Sequence, residues 1–365
     1  MSRIIVAAAM FVGGAAIFGS AACTEEAESY SRYPFTEART LGGEEVSAQT
    51  LNDGWEAYIL NCRQCHGDKG DGQGPSAKGL RPPPRDFTKG QFKFGGVAAG
   101  ELPNDDRLLE VVQGGLHGTA MLQWDVDDRE LRAIVQYIKT FSTRWEKGRP
   151  GKAIEPTKDP WRGREREAVE MGARVFHVDA QCAGCHPNYA TKRELDEFNV
   201  AAGRGHVTGF RSNLYVSEAR DSEYRVNGKI LKILPPDFLS YTVRTMPNGH
   251  SSEREQLDAL YVTIAAGVGG TPMPVWKDAL PEDKMWALVH YTRSLIHMRD
   301  SSEGAALRAR LESDENMRWE PPPPPPPEPP PAEATAAPAV PAATARPAPA
   351  KAPAKAPAKA PVLSE

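Results

Sequence analysis

The sequence predicts an all-α protein made of two successive helical units and an extended C-terminal tail. Three observations predict this class. Apolar residues recur three and four positions apart in several separate segments. A five-residue cysteine–histidine stretch occurs twice, and the last 45 residues hold 17 of the 33 prolines. With 365 residues the chain is long enough for two or three domains. Its formal net charge of −4 gives no indication of nucleic-acid binding.

The two cysteine–histidine stretches span residues 62–66 and 182–186, and both read C-x-x-C-H. This pattern is the attachment signature of a c-type haem, in which two thiols bond to the vinyl groups and the histidine ligates iron. A single copy could also be half of a zinc site or a thiol redox pair. Two copies, each ending in histidine, favour two covalent haems. The predicted haem-binding residues are Cys62, Cys65 and His66 in the first copy, and Cys182, Cys185 and His186 in the second.

The N-terminus is typical of an export signal over residues 1–22. Arg3 precedes a short apolar run, and small residues follow it. Because Cys23 comes directly after them, the site resembles a bacterial lipoprotein signal, and Cys23 is then the lipidated residue that anchors the chain to a membrane. Plain cleavage with a free Cys23 is the alternative. Either interpretation predicts export, and the first predicts a periplasmic lipoprotein.

Helices are predicted where the apolar period is clear, and their ends where capping or breaking residues occur. Asn104 is expected to cap a short helix with its side chain, and Gly114 and Gly115 to end it. The predicted longer helices cover residues 51–61, 127–142, 253–266 and 281–296, with a charged helix opening the second unit at Arg164 and a weak one at 303–312.

Changes in composition divide the chain into segments. Polar residues without periodicity follow Cys23, Gly and Pro recur between the units, and a proline-rich run that cannot form a packed core ends the chain. The predicted segments are a tether at 23–47, a first haem unit at 48–146, a linker at 147–161, a second haem unit at 162–300, a short helix at 301–320 and a disordered Pro/Ala/Lys tail at 321–365.

The two units repeat the same motifs in the same order. Pro-x-Asp-Phe ends at Phe87 and again at Phe238, and Gly-Thr-x-Met follows with Met121 34 residues later and Met273 35 residues later. A thioether suits low-spin haem iron, so Met121 and Met273 are the predicted sixth ligands. Core packing is the alternative role for any single methionine. The rival Met246 has no counterpart ligand in the first unit and is expected to line the pocket, and His117 is expected to be a loop residue.

The units differ by an insertion of about 31 residues within 188–232 of the second. It contains His206 in a glycine-rich context. A surface loop is the expected role, and a second ligand or a substrate contact is the alternative.

On these motifs each unit resembles a class I cytochrome c domain. The resemblance implies a small helical fold around a covalent haem with His/Met ligation. It further implies that the carbonyl of Pro75 accepts a hydrogen bond from His66, whereas no counterpart is evident after His186. Trp124 and Trp276 would line the haem pockets. A glycine and aromatic residues would pack the first helix across the last, namely Gly54, Tyr58 and Tyr137 in one unit and Gly172, Phe176 and Tyr291 in the other.

An iron with six fixed ligands leaves no position for a substrate, so the sequence predicts a one-electron carrier rather than an enzyme. The expected partners are an upstream electron donor and a terminal oxidase or reductase. Two alternatives stay open. A dihaem peroxidase would need one open iron and an acid–base group above it. A cytochrome subunit of a larger oxidoreductase complex would need an apolar docking surface.

Overall fold

A computed structural model describes residues 33–226, 229–246 and 251–323. The predicted signal peptide, Cys23 and residues 324–365 of the predicted tail lie outside these ranges. The described residues up to Pro321 belong to one compact unit. None of the helices in the described ranges is long and apolar enough to cross a membrane.

Helices dominate, as predicted, and two small antiparallel hairpins are added to them. The helices of the described part are α1 (Ala48–Asn61), α2 (Arg63–His66), α3 (Asp105–Gly114), α4 (Asp128–Lys139), α5 (Arg144–Lys147), α6 (Glu165–Arg174), α7 (Lys192–Ala201), α8 (Glu253–Ala266), α9 (Glu282–His297), α10 (Ser302–Leu311) and α11 (Asp314–Arg318). The strands are β1 (Arg39–Leu41), β2 (Glu44–Val46), β3 (Arg220–Val226) and β4 (Lys229–Ile233).

In the first half, residues 33–146, helix α1 crosses helix α4 at Gly54. A Cβ at this position would overlap the carbonyl oxygen of Ala133, so only glycine allows the two backbones to approach this closely. Next to the crossing, the rings of Tyr58 and Tyr137 meet edge to face with centroids 5.2 Å apart. The crossing implied by the family resemblance is therefore present.

The second half, residues 162–300, repeats this crossing between α6 and α9. A Cβ at Gly172 would overlap the carbonyl oxygen of Ala287. Phe176 and Tyr291 take the place of the tyrosine pair, with ring centroids 5.6 Å apart. Phe176 lies in a single π-helical turn, Val175–Asp179, that continues α6 toward the second C-x-x-C-H stretch.

Several predicted helix ends agree with the structure and one predicted cap does not. Helix α8 has the predicted bounds. Asp127 caps α4 by accepting a hydrogen bond from the backbone N–H of Arg129. Asn104 stands at the N-cap of α3 but its side chain makes no capping hydrogen bond, so that prediction is wrong. The acidic Asp105 and Asp106 in the first turn still favour this helix end, because they face the positive end of its dipole.

The segment predicted as a tether contains strands β1 and β2. They pair antiparallel, with Arg39 opposite Val46, around the turn at Gly42 and Gly43. Leu41 is fully buried and packs in the same cluster as Trp145 and Leu51. Burial of Leu41 stabilises the hairpin. This tertiary contact cannot be predicted from the sequence of the two short strands.

The predicted linker also packs against the helices. Ile154 is buried, and its backbone N–H donates to the carbonyl of Gly96 across 2.8 Å. The indole of Trp161 donates to the carbonyl of Asp283 across 2.7 Å. The lack of helical or strand periodicity agrees with the irregular backbone of this segment. An irregular backbone can nevertheless be held in place by tertiary contacts, as it is here.

The insertion in the second half is folded rather than an open loop. Helix α7 begins with a complete capping box formed by Thr191 and Glu194. Strands β3 and β4 form the second hairpin, whose register shifts between Asp221 and Arg225. A small core joins the helix to the following chain, with buried residues Ala190, Leu195 and Leu214.

Candidate functional site

Both C-x-x-C-H stretches form the same tight turn. In the first, the backbone N–H groups of Cys65 and His66 both donate to the carbonyl of Cys62, across 3.2 and 3.0 Å. In the second, Cys185 and His186 donate to Cys182 across 3.0 and 2.9 Å. One turn therefore holds both thiols and presents the histidine directly after the second thiol. All four of these cysteines are free.

The first thiol of each stretch lies in a buried environment. Burial raises the pKa of Cys62 to about 12 and that of Cys182 to about 12. The raised pKa values reflect an apolar setting, which is compatible with covalent attachment to an apolar ring system.

A backbone carbonyl and an aromatic ring fix the imidazole of His66. Its Nδ1 donates to the carbonyl oxygen of Arg85 across 3.1 Å. Its ring stacks on Phe87 with centroids 4.5 Å apart and planes inclined by 15°. Because Nδ1 carries the proton, the lone pair of Nε2 is left to ligate a metal.

His186 has the same arrangement. Its Nδ1 donates to the carbonyl oxygen of Pro236 across 2.9 Å, and its ring stacks on Phe238 with centroids 5.0 Å apart and planes inclined by 16°. Pro236 and Phe238 occupy the positions of Arg85 and Phe87 in the repeated Pro-x-Asp-Phe segment. One duplicated segment therefore orients both histidines.

Two expectations about the histidine partners are corrected by this geometry. The acceptor for His66 is Arg85 and not Pro75, which lies in a separate helical turn over Pro75–Ala77. His186, for which no partner was evident, has one in Pro236. The repeated segment was visible in the sequence, but its role depends on the chain folding back over the histidine after 19 residues in one half and 50 in the other.

Burial keeps both imidazoles neutral. It lowers the pKa of His66 to about 4, against the smaller opposing effect of the carbonyl of Arg85. The pKa of His186 is lowered for the same reason. A neutral imidazole with Nδ1 protonated is the form that ligates haem iron through Nε2.

The two methionine loops share one backbone design. In the first, the hydroxyl of Thr119 donates to the carbonyl of Leu116 and accepts from the N–H of Met121, across 2.7 and 3.0 Å. In the second, Thr271 does the same with Val268 and Met273 across 2.7 and 3.2 Å. A left-handed glycine precedes each threonine, Gly118 with φ 68° and Gly270 with φ 70°. The predicted equivalence of Met121 and Met273 is therefore repeated in the backbone hydrogen bonds around them.

The tryptophans that follow the methionines differ. Trp276 and Met273 both pack against the core cluster of the second half, together with Cys182 and Met246. The backbone N–H of Trp276 also donates to the carbonyl of Ala265, near the end of α8. Trp124 is 41% exposed, so it does not share this packing.

Different residues donate hydrogen bonds to the backbone carbonyls of the two C-x-x-C-H stretches. In the first half the N–H groups of Gly74 and Gly72 donate to the carbonyls of Cys65 and His66, across 3.1 and 2.9 Å. In the second half the N–H of Glu218 donates to Cys185 across 2.9 Å, and the guanidinium of Arg211 donates to His186 across 2.9 Å.

The insertion thus replaces the glycine-rich loop of the first half. Arg211 also donates to the carbonyls of Leu214 and Val216, each across 3.2 Å. Arg220 donates to the carbonyl of Gly184 across 3.0 Å. Neither arginine was predicted from the sequence, in which the insertion is the one signal that points to them.

His206 and His117 lie where the insertion and the first methionine loop place them. His206 is half-exposed, and its Nδ1 lies 2.8 Å from a carboxylate oxygen of the buried Asp196. The N–H of Val207 donates to the other oxygen of the same carboxylate, so His206 belongs to the local framework of the insertion. His117 lies in the loop that precedes Met121, as predicted.

The donor set fits a covalently attached haem. Each half offers two unpaired thiols in one turn, an imidazole with a free Nε2, and a methionine in a matching loop. The aromatic residues Tyr58, Phe87, Tyr137 and Phe141 surround the first histidine's side of the site, and Phe176, Tyr189, Phe238 and Tyr291 the second's. Thioether formation, imidazole ligation and apolar contact are therefore all available from the residues present.

Comparison with known proteins agrees with this chemistry. The family model of cytochrome c oxidase, cbb3-type, subunit III, matches residues 49–138. A solved chain of the Kuenenia stuttgartiensis reducing HAO-like protein complex Kustc0457/Kustc0458 has a similar fold. Its TM-score is 0.52 with 24% identity, over 67% of this chain and 96% of that chain. No curated protein sequence matches the chain.

Residues 49–138 thus form a cytochrome c domain, and such a domain carries covalently bound haem c. The match over these residues supports a haem-based role in electron transfer.

Proposed function

We propose that this chain is a dihaem c-type cytochrome that carries single electrons in an extracytoplasmic respiratory chain. The observation that carries the proposal is the geometry shared by His66 and His186. In each, the Nδ1–H group donates to a backbone carbonyl, and the ring stacks on a phenylalanine. A second haem centre is the natural role of a second copy of this arrangement, which includes its own thiols and methionine loop.

Ligation by histidine and methionine supports the role of a carrier. Bound haem supplies a reversible one-electron change in the oxidation state of its iron. The carbonyl of Arg85 and the stacked ring of Phe87 hold the imidazole of His66, and the Thr119 hydroxyl holds the backbone of Met121. Fixed ligands minimise rearrangement on oxidation, and they leave no position for a substrate.

The alternative of a dihaem peroxidase finds less support. A peroxidase needs an acid–base group above an open iron. His206 lies in the insertion of the second half, and its Nδ1 is engaged by Asp196. Met273 and Trp276 pack against the core of the second half, so an open iron there would require Met273 to leave this packing.

A second candidate function is a cytochrome subunit of a larger redox assembly. The solved chain with a similar fold belongs to a complex named for two proteins, Kustc0457 and Kustc0458, and 96% of that chain is covered. In the first half, Leu122 and Trp124 follow Met121 and are 69% and 41% exposed. Exposed apolar side chains next to a redox centre would suit a protein partner that exchanges electrons with it.

We further propose a periplasmic location with a lipid anchor at Cys23, on the strength of the signal-like N-terminus. Replacement of Cys23 by Ser should move the protein from the membrane to the soluble periplasmic fraction. Persistent membrane fractionation of C23S would count against the anchor, and it would leave the haem assignment intact.

The decisive experiment counts haems and measures their ligation in the purified full chain. We expect two covalent haems by intact mass and by the pyridine haemochrome, and one in each of the double variants C62S/C65S and C182S/C185S. A spectroelectrochemical titration should resolve two low-spin His/Met centres. A single haem in the wild-type protein would reject the dihaem proposal, and a high-spin, peroxide-reactive iron would favour the enzyme.

A further inference from the structure

The two halves meet along a seam, formed by residues 91–100 of the first half and 266–270 of the second. The N–H of Ala99 donates to the carbonyl of Ala266 across 2.9 Å, and the N–H of Gly269 donates to that of Lys93 across 3.2 Å. A Cβ at Gly269 would overlap the carbonyl oxygen of Phe92, so glycine is required for this approach. The backbones of the two halves are therefore in direct contact.

Three cationic residues lie at this seam, and two of them place their side chains over the ring of one buried tyrosine. The guanidinium carbon of Arg85 lies 4.0 Å from the ring centroid of Tyr224, and Nζ of Lys93 lies 5.7 Å from the same centroid. Arg244 is close enough to repel both of them electrostatically. The hydroxyl of Tyr224 donates to the carbonyl of Gly269 across 2.6 Å and so anchors the group in the second half.

No described carboxylate forms an ion pair with Arg85, Lys93 or Arg244. Many other arginines in the described ranges do form an ion pair with a carboxylate. Burial and the two arginines lower the pKa of Lys93 to about 7. The face of Tyr224 offsets part of this repulsion by cation–π attraction. Three partly buried like charges nevertheless remain without a counter-anion among the described residues, which indicates a binding site for one.

The cluster adjoins both candidate haem centres. The carbonyl of Arg85 is the acceptor for His66, and the carbonyl of Arg244 accepts from the N–H of His117 in the Met121 loop across 3.4 Å. Tyr224 is bonded to Gly269 in the Met273 loop. Lys93 and Arg244 also occupy equivalent positions, each six residues after the phenylalanine that stacks on its histidine.

We propose that Arg85, Lys93 and Arg244 form one carboxylate-binding site shared by the two halves, and that its ligands are the propionate carboxylates of the bound haems. The inference rests on the proposed dihaem function. Guanidinium groups match the planar, two-oxygen geometry of a carboxylate, and the ammonium of Lys93 adds a third charge. Because cations from both halves share the site, it links the charge state of one centre to that of the other.

The test uses the full-length protein carrying both haems, with ¹³C at the propionate carboxyl carbons. Infrared difference spectra then report the hydrogen bonding of those carboxylates alone. We expect the labelled bands to shift in R244Q and in K93Q, and to shift less in R244K, which keeps the charge. The control is K232Q, which removes an exposed lysine that already pairs with Asp221 across 2.8 Å. It should leave the bands unchanged.

Calorimetric titration with inorganic phosphate distinguishes the other source of an anion. If propionates occupy the site, phosphate should not bind to the wild-type protein saturably. Saturable binding that is lost in R244Q would overturn the proposal, since the cations would then serve a free anion. Unchanged labelled bands in both R244Q and K93Q, with two haems still attached, would overturn it as well. Fewer than two haems in the wild-type protein would instead reject the dihaem function itself. K93Q keeps the test available should R244Q fail to fold.

Discussion

The imidazole of His186 donates its Nδ1 proton to the backbone carbonyl of Pro236 across 2.9 Å. His66 has the same relationship with Arg85 across 3.1 Å, although 31 more residues separate the partners in the second half than in the first. Hydrogen bonds of this kind fix the tautomer and the orientation of a ligating histidine. The insertion therefore lengthens the chain between the two partners without disturbing the bond, which is why both centres can be tested with matched variants.

The methionine ligands can be tested one centre at a time. In the protein with both haems, M121A should lower the reduction potential of the first centre and open its iron to added imidazole, because loss of the thioether removes the sixth ligand. M273A should do the same to the second centre. A spectroelectrochemical titration with and without imidazole measures both effects.

Met246 provides the matched control for these variants, since it packs against the same core cluster as Met273. M246A should leave both potentials and the imidazole response near those of the wild-type protein. If M246A rather than M273A opened the second iron, the ligand assignment in the second half would be wrong.

The two helix crossings predict a large effect of a single methyl group. G54A and G172A should each destabilise the protein by about 3 kcal/mol, because the new Cβ would overlap the carbonyl oxygens of Ala133 and Ala287 and force α1 from α4, or α6 from α9. Urea unfolding measures the change in the free energy of unfolding.

G114A is the control for the glycine variants. Gly114 is helical, and a Cβ there would meet nothing within 4 Å, so its replacement should change stability by less than about 1 kcal/mol. Equal stabilities of G54A and G114A would contradict the close crossing of α1 and α4.

The arginine clamp of the second haem-binding stretch can be tested at Arg211. R211Q removes donors to the carbonyls of His186, Leu214 and Val216, and should destabilise the second half by about 2 to 4 kcal/mol. Hydrogen exchange in residues 182–188 should become faster, and the first half should be unaffected. R211K should restore part of the protection.

The comparison variant is R193Q, whose arginine is exposed and pairs with Glu315 only at 3.9 Å. Exposed pairs of this kind contribute little, so its exchange and stability should match those of the wild-type protein. Similar exchange rates in R211Q and R193Q would show that the insertion does not hold the haem-binding stretch.

His177 predicts how stability depends on pH. Its Nδ1 donates to the carbonyl of Ala173 across 2.7 Å and its Nε2 accepts from the N–H of Tyr189 across 3.2 Å, so the buried ring is neutral. Burial lowers its pKa from 6.5 to about 4. Because the unfolded chain takes up this proton first, the contribution of His177 is complete above pH 6.5 and is lost as the pH falls toward 4.

The size of this effect is about 3 kcal/mol at most, from the difference between the two pKa values. Urea unfolding at pH 7.5, 5.5 and 4.5 should show a steeper loss of stability for the wild-type protein than for H177Q. The glutamine can take part in similar hydrogen bonds but cannot be protonated. Parallel pH profiles of the two proteins would contradict the assignment.

Local signals in the sequence predicted the helices and much of the candidate site. The spacing of apolar residues identified α8 with its observed bounds and α4 to within three residues. The repeated motifs led to Met121 and Met273, whose loops share hydrogen bonds, and the family resemblance led to the glycines at both helix crossings. The helices and the methionines depend on residues close together in the chain or on a repeated order of motifs, so they can be predicted without the fold.

Other features depended on which distant segments meet. The hairpin β1–β2 is stable because Leu41 is buried beside Trp145, more than 100 residues away. The carbonyl partner of His66 was expected at Pro75 and lies at Arg85. The clamp by Arg211 is likewise a contact across 25 residues. None of these contacts leaves a periodic or compositional signal.

The sequence by itself determined the helical class, the paired thiols and histidines, and the methionines proposed as sixth ligands. Each of these features depends on the spacing of residues that are close together in the chain or on a motif that recurs in the same order. The tertiary structure decided which carbonyl orients each imidazole, how the insertion substitutes for a glycine loop, and that Arg85, Lys93 and Arg244 come together at one seam. The physical reason is that burial and like-charge proximity are properties of segments brought together by packing, and a one-dimensional pattern does not contain them.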